Sequence, residues 1–280
     1  MRNSKHSDIA AKENEIVASI QTDVGCVRSS NQDCGRFIRP TDAAQRERKG
    51  VLAVVADGMG GHSGGEVASS LATEVIGRAY YSSNSTPVEA LTESFNEANR
   101  QIYEASNRDE SLKGMGTTCT ALAIYGNQAV VAHVGDSRLY LLREGEIYLM
   151  TEDHSAVMEM VKQGLLSLEA ARHHEDKNVI LRALGTAPSV DVSTWKAPLT
   201  THIGDQFILC SDGLYDLVAD SEIKEIVSAT PDIHSSCEQL IDLAKRRGGH
   251  DNITVGILKA ELAGTTQRAV RETREFEVVT

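Results

Sequence analysis

The chain has 280 residues, 41% apolar and 24% charged, which is enough to bury a substantial core and ordinary for a globular protein. Its formal charge of −12 at pH 7 argues against nucleic acid or an anionic membrane as the main partner. No apolar stretch approaches a membrane span, and residues 1–14 are polar without the apolar segment of a secretory signal, so a cytoplasmic protein is expected. The five cysteines (Cys26, Cys34, Cys119, Cys210, Cys237) form no CxxC pair and read as reduced thiols.

Residues 16–21 read as an opening strand and 51–56 as a central one. A helix is predicted over 65–81, with Val67, Leu71, Val75 and Ala79 on one stripe. The next starts at Thr86-Pro87-Val88-Glu89, where Thr caps, Pro takes the first helical position and Glu completes a capping box. Between Thr117 and Met150 the pattern changes to four strand-like runs, with Gly126-Asn127 and Glu144-Gly145 placed as hairpin turns. A helical stretch over 156–175 is broken near Gly164 and Ser167. Strands return at 190–196 and 205–210, helices at 221–228 and 233–246, and 253–262 closes as a strand. Tight turns between strands and helices grouped in pairs point to an α+β fold whose helices cover sheets packed on each other. One domain over 16–262 is expected, between a polar segment 1–15 and a tail 263–280 without periodicity.

Three of the apolar runs stop at an aspartate: 51–56 at Asp57-Gly58, 129–135 at Asp136-Ser137, and 207–211 at Asp212-Gly213. Carboxylates converging at the tips of buried strands repel one another unless a cation joins them. Singly, an Asp-Gly pair is a common turn. Together with Asp33 and Asp251, also at strand edges or in adjoining loops, the all-aspartate set suits Mg²⁺ or Mn²⁺ better than zinc. The glycine-rich stretch 57–66 lets backbone carbonyls approach an ion, and it is no P-loop, since no Lys-Ser/Thr follows its glycines. Within it, His62 either caps or packs, or serves as a proton donor.

Seven motifs occur in order: Arg28-Ser29-Ser30-Asn31-Gln32-Asp33, Asp57-Gly58-Met59-Gly60-Gly61-His62, Gly116-Thr117-Thr118, Gly135-Asp136-Ser137-Arg138, Asp153-His154-Ser155, Ser211-Asp212-Gly213 and Asp251-Asn252. Together they resemble the type-2C, metal-dependent (PPM) Ser/Thr protein phosphatase family in its bacterial form, over about residues 16–262. The resemblance implies an αββα sandwich: two central antiparallel β-sheets flanked by pairs of helices. It implies hydrolysis of phosphoserine and phosphothreonine in proteins by a metal-bridged hydroxide, with Mn²⁺ or Mg²⁺ as two core ions and room for a third, weaker one.

Residue by residue, the resemblance implies that Asp57 bridges two metals and the Gly58 carbonyl completes the second. Asp212 and Asp251 would hold the first, Asp33 would act through metal-bound water, and Asp136 would serve the third. Arg28 would bind the substrate phosphate, for which its fork of donors is suited. Met59 stands where many animal members carry a histidine after Asp-Gly; this chain's histidine comes later, and its place in the glycine loop makes His62 the candidate general acid. Gln32 replaces a Glu found in many relatives, favouring water-mediated contact through Asp33. The segment 157–187 resembles the family's flap beside the metal centre, with a helical hairpin of purely packing duty as the alternative. Implied partners are phosphorylated proteins and a cognate Ser/Thr kinase, for a monomer acting in signal transduction. Two other readings stay open: a catalytically silent phosphoprotein-binding relative, and a metal-dependent hydrolase of a small phosphate ester.

Overall fold

The computed structural model describes residues 14–61 and 63–262. The expected tail 263–280, residues 1–13 and His62 lie outside the described residues. In chain order the elements are β1 (Asn14–Asp23), β2 (Asp33–Ile38), α1 (Ala43–Lys49), β3 (Val51–Met59), α2 (Gly64–Ser82), α3 (Pro87–Arg108), β4 (Gly116–Thr117), β5 (Cys119–Tyr125) and β6 (Gln128–Val134). There follow β7 (Arg138–Arg143), β8 (Glu146–Leu149), α4 (Ala156–Lys162), α5 (Leu168–Ala171), β9 (Ser193–Thr194), β10 (Leu199–Thr200), β11 (Gln206–Cys210), α6 (Asp212–Tyr215), α7 (Asp220–Ala229), α8 (Ile233–Arg246) and β12 (Ile253–Leu262).

The strands form two antiparallel sheets, one ordered β1-β12-β11-β7-β8 and the other β10-β6-β5-β3-β2, with β4 added to β3 and β9 to β6. Their period of two assigns every side chain to a layer. On β3, Leu52, Val54 and Ala56 pack under α2 and α3, while Val51, Ala53 and Val55 face the other sheet. On β11, Ile208 and Cys210 pack under α7 and α8, while Phe207 and Leu209 join the core between the sheets. Strands buried on both faces read as unbroken apolar runs, which is why these segments stand out in the sequence. The result is the expected αββα sandwich.

The helix start at Thr86 is as the sequence predicts: Glu89 N–H donates to Thr86 Oγ1, and Thr86 N–H donates to Glu89 Oε2 at 3.1 Å. Such a cap contributes about 1 kcal/mol. Differences lie where pattern is weak. The strand expected to stop before Asp57 runs on to Met59, because β4 continues the pairing with Gly58 opposite Thr117. The strand expected over 190–196 shrinks to the two residues of β9, which pair with Ala132 and His133. β2, α1 and α6 carry no periodic signal and were not expected. The cysteines are free thiols, with Cys119, Cys210 and Cys237 buried in the core. Among the described residues, no helix is long and apolar enough to cross a membrane.

Candidate metal centre

The topology brings the five aspartates to one edge of the sandwich. Asp33 opens β2 opposite Asp57 of β3 in the antiparallel pair. Asp212 opens α6 directly after β11, and Asp251 precedes β12, the strand beside β11. Asp136 occupies the turn between β6 and β7, where the chain passes from one sheet to the other.

Burial, followed by repulsion from Asp33, Asp212, Asp136 and Asp251, holds the Asp57 carboxyl well above the usual carboxylate range. Burial likewise raises Asp212, followed by repulsion from Asp136 and Asp251. It pushes Asp33 up to about 6, against hydrogen bonds from Ser211 and Thr254 that favour the charged form. Asp136 is pushed up to about 7 by burial and by Asp153. Four buried or half-buried carboxyls that resist ionisation together form a site in need of positive charge.

Two of their oxygens have no donor at all: Asp33 Oδ1 and Asp212 Oδ1 are buried and unpartnered. Orphaned buried carboxylate oxygens are costly, and they match the all-oxygen shell of a hard divalent cation. Among the described residues, no three His, Cys, Asp or Glu side chains already surround one point. Asp251, for one, accepts from Arg28 Nη2 at 2.7 Å and from Asn252 N–H at 2.8 Å. The donor set nonetheless fits Mn²⁺ or Mg²⁺ in charge and chemistry. The backbone at Gly58 fits as well: a Cβ there would meet Gly65 O at 2.0 Å, and one on Gly65 would meet Gly58 O at 2.7 Å. Only glycine at both positions lets the Gly58 carbonyl and the start of α2 stand so close.

The half-exposed Arg28 sits on a loop to which the Asn252 amide makes three bonds. Asn252 Nδ2 donates to Val24 O at 3.0 Å and to Ser30 O at 2.9 Å, while its Oδ1 accepts Gln32 N–H at 2.8 Å. The guanidinium is thereby held beside Asp251, with Asp57 and Asp212 near enough to favour its charge. The candidate acid His62 lies outside the described residues, so its place relative to Arg28 is not described.

Several residues to which the motifs assigned no role support the aspartates. Ser211 and Thr254 each donate to Asp33 Oδ2 at 2.7 Å. Thr254 had a sequence signal, a polar residue inside the otherwise apolar strand 253–258. Arg138 binds Asp153 through Nη2 at 2.7 Å and lies 3.8 Å above the Tyr215 ring, so the Asp153 charge is matched beside Asp136. Near this cluster, Lys177 reaches over from the segment between α5 and β9 to Asp216 Oδ2 at 2.5 Å.

Comparison with known proteins finds similar chains and similar folds. A family model described as Protein phosphatase 2C matches residues 29–254. The Listeria monocytogenes protein named Serine/threonine phosphatase stp is 37% identical over 250 residues, covering 88% of this chain and 96% of its own. The Mycobacterium tuberculosis serine/threonine phosphatase PstP/Ppp superposes with a TM-score of 0.78 at 34% identity, covering 88% of this chain and 99% of that one. The catalytic domain of PstP solved with two manganese ions gives a TM-score of 0.76 at 33% identity, over 88% of this chain and 98% of that one.

Proposed function

The chain belongs to the protein phosphatase 2C family and removes phosphate from serine and threonine side chains of proteins with Mn²⁺ or Mg²⁺, and from that premise we propose how its residues divide the work. Asp57 and the Gly58 carbonyl would hold the core ions jointly, with Asp212 and Asp251 on one of them. Asp33 would act through water, and Asp136 would serve a third, weaker ion. Bound there, the ions supply the Lewis acidity that makes water nucleophilic at neutral pH and offsets charge on the phosphoryl group. The observation that carries this assignment is the pair of orphaned oxygens, Asp33 Oδ1 and Asp212 Oδ1, set among carboxyls that burial keeps from ionising.

Arg28 orients the substrate. Its fork of N–H donors is held at the rim by the Asn252-secured loop, where phosphate oxygens can share it with Asp251. His62 is assigned the proton delivered to the serine or threonine oxygen as it leaves, a role that suits an imidazole near neutral pH. Residues 16–262 work as one catalytic unit, and the segment 157–187 shapes access as a flap. The protein acts as a cytoplasmic monomer in signal transduction, opposing a Ser/Thr kinase.

Purified protein with Mn²⁺, assayed on a phosphothreonine peptide and on sugar phosphates with and without chelator, tests the reading. Metal-dependent release from the peptide alone is expected. Comparable turnover of sugar phosphates would favour a metabolite hydrolase, and tight phosphopeptide binding without release would favour a silent relative. His62→Ala is expected to slow hydrolysis of the peptide more than that of an aryl phosphate, whose leaving group needs no proton.

A further inference from the structure

Gly116-Thr117-Thr118 is a motif to which the phosphatase reading gives no task. In the fold, Thr118 stands between the β3 backbone at Asp57 and the Asp136 turn, on both of which that reading depends. Its backbone N–H donates to Asp57 O at 2.8 Å, and its Oγ1 accepts Asp57 N–H at 3.1 Å. The same hydroxyl shares a hydrogen bond of 2.6 Å with Ser137 Oγ, immediately after Asp136. On the other side of Asp136, Gly135 has φ +106° and packs so closely that a Cβ on it would meet Thr118 Cβ at 2.5 Å. Thr118 and Ser137 are fully buried. No other described hydrogen bond runs from the Asp57 backbone to the Asp136 turn through one side chain.

We propose that Thr118 is a positioning residue that sets the Asp136 turn at a fixed distance from Asp57 and so determines how tightly the weaker, third ion is held. The inference rests on the assignment of Asp136 to that ion. The physical basis is the rigidity of a fully buried hydroxyl with partners on both sides. Breaking either link leaves a polar group unpaired in the core and frees the turn to shift. Outer partners of metal ligands commonly tune affinity by about 10- to 100-fold.

Two variants separate the links. Thr118→Val removes the hydroxyl and with it both side-chain bonds. Ser137→Ala removes only the link to the Asp136 turn and leaves the Asp57 bond in place. Mn²⁺ binding to the full chain after chelator treatment, followed by calorimetry and by the electron paramagnetic resonance of free Mn²⁺, is the readout. Both variants are expected to weaken the weakest Mn²⁺ site about 10-fold. The double variant is expected to be no weaker than either single one. Thr118→Ser, which keeps the hydroxyl, is expected to restore that site to within about threefold of the parent chain, on the same scale of outer-partner effects.

A lowered melting temperature with unchanged weak-site affinity in both variants would show a purely structural role and overturn the proposal. Additive losses in the double variant would do the same, as would a serine variant that folds well yet binds as poorly as the valine one. Asp136→Asn is the control that separates the two levels. If it leaves the weak site intact, the assignment of Asp136 falls and the Thr118 proposal with it. If it removes the weak site while Thr118→Val and Ser137→Ala keep it, only the Thr118 proposal falls.

Discussion

The floor of the candidate site and the segment that follows Ser155 are held in opposite ways. On the floor, Asp33 and Asp136 are buried and Asp57 and Asp212 are half-buried, with hydroxyls of Ser211 and Thr254 on the Asp33 carboxylate and those of Thr117 and Thr118 on the Asp57 backbone. Between Ala156 and Ala187 the backbone meets the body at a few points only. Leu184 exchanges two hydrogen bonds with Thr117, Asn99 Oδ1 accepts Gly185 N–H at 2.8 Å, and Asn99 Nδ2 donates to Ala187 O at 3.1 Å. Leu165, Leu168, Val179 and Leu181 lie exposed on this segment. A floor so constrained holds charge in one place, whereas a sparsely tethered segment can differ among relatives without disturbing the chemistry.

The sharpest way to break the contrast is at Asp57. Asp57→Asn is expected to lower kcat on a phosphothreonine peptide at least about 10³-fold even at saturating Mn²⁺, a loss on the scale of a missing electrostatic contribution to catalysis. Asp136→Asn is expected to keep most of the rate while raising the Mn²⁺ needed for half-maximal activity about 10-fold. Equal losses in the two variants at saturating Mn²⁺ would erase the distinction between them. Removing metal should also cost stability, because the ions bind the folded floor and not the open chain. At 100-fold above Kd the linkage is about 2.7 kcal/mol, so chelation is expected to lower Tm by roughly 5–10 °C. An unchanged melting curve would mean that the floor tolerates its charges unaided.

A third test concerns the two histidines behind the Asp136 turn. The rings of His133 and His154 lie 4.8 Å apart at a tilt of 41°, and burial lowers each to about 4. The unfolded chain takes up these protons near pH 6.5 and the folded chain only near 4. Their contribution is therefore complete above pH 6.5 and is lost as pH falls toward 4. The buried carboxyls act in the opposite sense. Asp33 and Asp136 keep protons up to about 6 and about 7, so ionising them costs stability as pH rises toward those values in metal-free protein. His133→Asn is expected to flatten the acid side of the Tm profile relative to the parent chain. A parallel profile would mean that the imidazoles are not the groups being titrated.

The smallest effect is expected on the segment after Ser155. Lys177→Ala removes the partly exposed pair with Asp216, worth about 0.2–1 kcal/mol. It is expected to raise KM for a phosphoprotein about two- to fivefold on that scale and to leave turnover of a small aryl phosphate unchanged. A matching loss on both substrates would place Lys177 in the floor.

By itself the sequence determined the layers and the ligand candidates. Strands such as 51–56, buried on both faces, spell themselves in unbroken apolar residues, and 129–134 does so but for His133; the aspartates that follow them mark where the core meets water. Thr86 and Glu89 announced a helix start because a capping box is a local bond between neighbours in the chain. What only the tertiary structure decided is who holds whom. Ser211 and Thr254 on Asp33, Asn252 under the Arg28 loop, and Thr118 between Asp57 and Ser137 all join residues far apart in sequence. Such bonds leave no periodic trace, since a buried serine or threonine looks the same whether it spans two turns or merely fills space. The carboxylates could be read from the chain; the hydroxyls that aim them appear only once the two sheets are laid together.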